Sequence, residues 1–144
     1  MKRLIYILLA SAPVTSHAQS PPSTNWADAK NWKIYYVTKH GGYTYSLDTL
    51  QTLKQVSLNT DTIRQFLKTA TEIPVERQPV FMGYYVASCQ LLNGTSIKIE
   101  ISQYGAFFYD DRQKKYYQLA DGLQRDWLAY LTDKWRQLQD SASE

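Results

Sequence analysis

Phe81 to Ser102 reads FMGYYVASCQLLNGTSIKIEIS, and the pairing of its two halves decides the fold. Phe81 to Leu92 is a long β-prone run and Asn93-Gly94 is a strong hairpin turn. Beyond it, Ile97, Ile99 and Ile101 alternate with Lys98, Glu100 and Ser102. Burial selects the register. A two-residue turn at Asn93-Gly94 sets Ile99 opposite Ser88 and Ile97 opposite Gln90, which wastes the apolar face. A three-residue loop, Asn93-Gly94-Thr95, sets Ile97 opposite Leu91, Ile99 opposite Cys89 and Ile101 opposite Ala87. Since a one-residue slip turns every side chain to the other face, the odd-numbered loop is expected.

Working outward, Gly105 bends the chain before a strand over Ala106 to Tyr109. Asp110 to Gln113 is a polar turn, and Lys115 to Leu119 returns as a strand. Upstream, Ile34 to Val37, a turn at His40-Gly41-Gly42 and Tyr43 to Tyr45 read as a hairpin or two edge strands. Leu47, Leu50 and Leu53 mark a short helical turn, and Gln55 to Leu58 a short strand. Asn59 to Asp61 offer N-cap side chains to a helix whose stripe is Ile63, Phe66, Leu67 and Ala70, ended by Pro74 and Pro79. Asp121 with Gln124 resembles a capping box ahead of a second amphipathic helix carrying Leu123, Trp127, Leu131, Trp135 and Leu138. The expected fold is α+β: an antiparallel sheet of about four main strands, with an N-terminal and a C-terminal helix packed on one face.

The ends carry a different message. Lys2 and Arg3, the apolar run Leu4 to Ala10, and Ser16-His17-Ala18 form the pattern of a secretory signal peptide cut after Ala18. The predicted organisation is a signal peptide over 1–18, a flexible lead over 19–31, a single globular domain over 32–140 and a frayed tail over 141–144. The expected location is periplasmic or secreted. Of 16 basic groups two leave with the leader, so the formal charge of +3 nearly vanishes against 13 acidic groups. With no basic run longer than Lys114-Lys115, nucleic acid is not an expected partner. A single cysteine, Cys89, allows no internal disulfide, and no cysteine at the cut site offers a lipid anchor. The leader's apolar run is far shorter than the roughly 20 residues a spanning helix needs, and no second apolar segment follows it.

Catalytic and metal chemistry find little support. His40 is the one histidine beyond the leader and sits in a Gly-rich turn. Cys89 is expected in the core, where a thiol is inert. One His and one Cys are too few for zinc, and no cofactor is expected. Asp110 and Asp111 are adjacent carboxylates, suited to calcium or acid/base work but also to a turn. Asn93-Gly94-Thr95 matches a glycosylation sequon that the turn already explains.

Twelve tyrosines are the compositional excess. The doublets Tyr35-Tyr36, Tyr84-Tyr85, Phe107-Phe108 and Tyr116-Tyr117 fall on predicted strands, so each is expected to send one ring to each face. If Cys89, Ile99 and Tyr117 face the helices, then Tyr84, Ser88, Gln90, Lys98, Glu100, Phe107 and Tyr116 share the opposite face. Rigid amphipathic rings among polar groups suit a contact surface.

The order of Ile63-Arg64-Gln65-Phe66-Leu67, a long strand, Asn93-Gly94, Ile97-x-Ile99-x-Ile101, Tyr104-Gly105 and a short aromatic strand resembles small exported proteins of Gram-negative bacteria. Some of these are thought to be immunity proteins that block a rival's toxin. The resemblance spans roughly Val56 to Leu119 and carries no site residue with it. The export signal, the size, the absence of catalytic groups and the outward aromatics lead to the expectation of a non-enzymatic periplasmic protein-binding module of the immunity or inhibitor type, using the aromatic sheet face and partnered by another envelope protein. The alternatives are a small envelope hydrolase using His40 or Asp110/Asp111, and a structural envelope component.

Overall fold

The computed structural model describes residues 25–37, 45–78 and 83–141. The expected leader and its cut site, the turn containing His40, and the last three residues lie outside them. The fold is α+β around one antiparallel sheet, but with seven strands instead of about four. In chain order these are β1 (Lys30–Tyr35), β2 (Gln55–Ser57), β3 (Thr71–Glu72), β4 (Gly83–Gln90), β5 (Ser96–Ser102), β6 (Phe107–Asp110) and β7 (Lys115–Gln118). They lie side by side as β2-β1-β4-β5-β6-β7-β3. The two outermost strands have three and two residues, too short for alternation to announce a strand.

The central hairpin keeps the expected faces with a different register. Cys89 pairs with Ile97, Ala87 with Ile99 and Tyr85 with Ile101, two residues away from the expected partners. The loop has three residues, but they are Leu92-Asn93-Gly94, closed by Leu91 N–H donating to the Thr95 carbonyl at 2.8 Å. A three-residue hairpin loop wants its last residue in the left-handed region. Gly94 takes that place with φ of 82°. The expected loop would have put β-branched Thr95 there, at a steric cost.

Among the described residues three α-helices pack on this sheet: α1 (Leu47–Gln51), α2 (Thr60–Leu67) and α3 (Gln124–Asp140). The expected N-terminal helix is not evident as such. The described chain opens on a 3-10 turn at Trp26–Asp28, and α2 falls in mid-chain. Trp26 and Ala29, inside the stretch expected to be a lead, are buried in the main core. Asn59 caps α2, its Oδ1 accepting from Thr62 N–H at 2.9 Å. The capping box at Asp121 does not form: α3 starts after Leu123, which is itself helical, with no side-chain cap.

One face of the sheet holds the main core. Ile34, Ala87, Cys89, Ile97, Ile99, Ile101, Phe108 and Tyr117 meet Ile63 and Leu67 of α2 and Trp127, Leu131 and Leu138 of α3. Phe66 joins the two helices, its ring centroid 5.1 Å from that of Trp127. Each large side chain fully buried here contributes about 1.5–3 kcal/mol. Gly105 belongs to this packing as well as to a turn. Its φ is 69°, and a Cβ would stand 3.1 Å from Trp127 Cδ1.

The other face is not simply open. α1 lies across its β1–β4 end and makes a second, small core from Leu50, Tyr35, Val37 and Val86, flanked by Tyr45 and Leu53. Ser46 positions α1 by accepting from Thr49 N–H at 3.1 Å. This short helix determines what the outer face can offer.

Candidate functional site

α1 divides the outer face into two regions of different chemistry. Toward β6 and β7, Phe107, Tyr109 and Tyr116 project with part of each ring in solvent. Tyr109 and Tyr116 are cross-strand partners with ring centroids 4.7 Å apart. Four charged groups border this patch. Lys98 Nζ lies 3.3 Å from Glu100 Oε1 and 3.5 Å from Asp111 Oδ2, while Lys114 Nζ lies 2.9 Å from Asp111 Oδ1. Lys98 is only 3 % exposed, so its ammonium is an internal brace that fixes two rim carboxylates.

The protonation states follow the same arrangement. Burial pushes Asp111 upward, but the Lys114 hydrogen bond and the Lys98 charge outweigh it and hold the carboxyl below its ordinary range. The hydrogen bond to Asp111 raises Lys114. Burial raises the Tyr109 phenol, so its hydroxyl stays protonated at neutral pH. On the core side, burial and then the Asp110 charge push the Cys89 thiol far up, away from nucleophilic use.

Toward β2, β1 and β4 the outer face sinks into a groove of about 710 Å³ beside α1. Its floor includes Gln55, Ser57, Lys33, Tyr35, Ser88, Gln90 and Ser96, and α1 supplies Leu47 and Gln51. Gln90 is held from both ends: it accepts from Asn31 Nδ2 at 2.9 Å and donates to the Gly94 carbonyl at 3.2 Å. Ser88 Oγ and the Tyr35 hydroxyl are hydrogen-bonded at 2.7 Å.

The seven residues expected to share one surface are therefore distributed. Glu100, Phe107 and Tyr116 border or form the aromatic region, and Ser88 and Gln90 belong to the groove. Lys98 and Ser88 are buried, not presented. Tyr84 leaves the face altogether. A register irregularity between Gly83 and Tyr85 frees it from strict alternation, and its ring lies 4.8 Å from Tyr85 and 6.2 Å from Trp135 of α3. The Tyr84-Tyr85 doublet thus sends both rings toward the helices. Tyr109, Asp111, Lys114 and Lys33 are additional site residues. Tyr109 was available from parity, two positions after Phe107; the others needed turn geometry or the placement of α1.

Asp110 and Asp111 do not act as a carboxylate pair. Asp110 lies on the core side opposite Ile99, fully buried, with Oδ1 accepting from Arg112 N–H and Gln113 N–H at 2.9 and 3.2 Å. Asp111 turns to Lys98 on the outer side. His40 lies outside the described residues. Among the described residues no group of three or more His, Cys, Asp or Glu side chains is placed to hold a metal ion. No helix among them is long and apolar enough to cross a membrane. Compared with known proteins, the chain matches no family model, no curated protein and no solved structure.

Proposed function

We propose that this chain is an exported, non-enzymatic protein-binding module of the immunity or inhibitor kind, which engages an envelope protein through the outer face of β5, β6 and β7. The observation that carries the reading is the Phe107–Tyr109–Tyr116 patch bordered by Glu100, Asp111 and Lys114. Aromatic rings with two torsions supply contact area at low entropic cost, and their hydroxyls tolerate a wet rim. Charges fixed in place by Lys98 favour a partner of matching pattern and penalise others. Export rests on the leader pattern: N-terminal sequencing of the secreted or periplasmic product should begin at Gln19.

The test compares wild type with the Phe107→Ser/Tyr109→Ser/Tyr116→Ser variant, both immobilised and exposed to the envelope fraction of the source bacterium. A single stoichiometric protein should be retained by wild type and bound at least about a hundredfold more weakly by the variant, in line with loss of aromatic anchors. Circular dichroism establishes that the variant is folded. Equal retention by both, or retention of nothing by wild type, would overturn the reading.

A further inference from the structure

The groove beside α1 differs chemically from the aromatic patch. Its volume of about 710 Å³ lies in the range of small-molecule sites, roughly 300–1,000 Å³. Its lining contains Lys33 and no Asp or Glu; the other polar groups are amides and hydroxyls such as Gln51, Gln55, Gln90, Ser57 and Ser96. Lys33 is half-buried, and its cross-strand neighbours are Ser57 and Ser88, not carboxylates. Every other lysine among the described residues that is at least half-buried faces an acid. Lys98 faces Glu100 and Asp111, Lys115 faces Glu72, and Lys134 faces Asp133.

An ammonium partly withdrawn from water, with no counter-charge among the described residues, favours an anion from outside. Amides and hydroxyls that both donate and accept suit the hydroxyl groups of a sugar better than a bare ion. Gln90, clamped between Asn31 and Gly94, and Ser88, held by Tyr35, make part of that floor rigid before anything binds.

We infer that the groove binds a small polyhydroxylated anion, a sugar carrying a carboxylate or a phosphate. Lys33 meets the acidic group, and Gln55, Ser57 and Gln90 meet the hydroxyls. This site stands apart from the aromatic patch and does not rest on the protein-binding reading.

The test is a ¹H–¹⁵N NMR titration of the purified protein with glucuronate, glucose 6-phosphate, glucose and inorganic phosphate. At least one of the two acidic sugars should move the amides of Lys33, Ser57, Ser88 and Gln90 and bind about tenfold or more tightly than glucose, as a charge-assisted contact requires. Lys33→Met should bring that sugar down to the level of glucose while leaving the spectrum otherwise folded. The inference fails if no groove amide moves, if glucose binds as well as the acidic sugars, or if inorganic phosphate matches them. It also fails if Lys33→Met changes nothing. The first result removes the site, the second its charge, and the third its preference for a sugar.

Discussion

The two halves of the outer face are built on the same sheet and solve the burial of polar groups in opposite ways. On the β5–β7 half, a buried lysine is surrounded by acids, so charge is internal, paired and used to hold the rim of an aromatic patch. On the β2–β1–β4 half, the groove's polar groups are mostly neutral, two pairs of them (Tyr35–Ser88 and Asn31–Gln90) hydrogen-bonded, and Lys33, the lysine of the lining, has no acid in that lining. The first half presents a surface whose charges are paired with one another. The second presents one whose lining holds a lysine and no acid, which is what separates a face that docks from a groove that fills.

The largest expected effect tests the paired half. Glu100→Gln/Asp111→Asn leaves the Lys98 ammonium buried among neutral groups and should cost about 3 kcal/mol in urea unfolding, whereas Lys98→Met should cost less than about 1 kcal/mol. Equal costs would mean that Lys98 is solvated in practice and that the halves do not differ as described. Next, Tyr35→Phe removes the bond to Ser88 and should cost about 1 kcal/mol, with the amide shifts confined to the groove side.

A smaller effect separates the halves by pH. Asp111 has its folded pKa below the unfolded value of 3.8, so its contribution is present above that value and lost as pH falls through the folded one. The stability gap between wild type and Asp111→Asn, under about 1 kcal/mol for a partly exposed pair, should be constant at neutral pH and close in acid. Lys33→Met should change stability least, within about 0.5 kcal/mol and with no acid dependence, because no carboxylate among the described residues is paired with it.

What could be read in advance followed from local periodicity. The alternation of Ile97, Ile99 and Ile101 identified the core face of β5, and the stripe through Trp127 and Leu131 identified α3. The same reasoning placed Leu92–Gly94 one residue too late, because it weighed burial without asking which residue could adopt a left-handed backbone. It also spread seven residues over one open face. Parity says on which side of a sheet a residue stands; it does not say whether something stands over it. Leu50 and its five-residue helix cover Tyr35 and Val86, and the irregularity at Gly83–Tyr85 carries Tyr84 to the opposite side.

By itself the sequence determined the α+β class, the antiparallel hairpin, the core faces of the central strands and the amphipathic C-terminal helix. Each of these is written in spacings of two or of three to four along the chain, where side-chain direction is a property of the backbone alone. The tertiary structure decided the seven-strand order, the burial of Lys98 between Glu100 and Asp111, the parting of Asp110 from Asp111, and the division of the outer face by α1. These join residues far apart in the chain or depend on turn geometry, and they were fixed only when the desolvation of polar groups was settled in three dimensions.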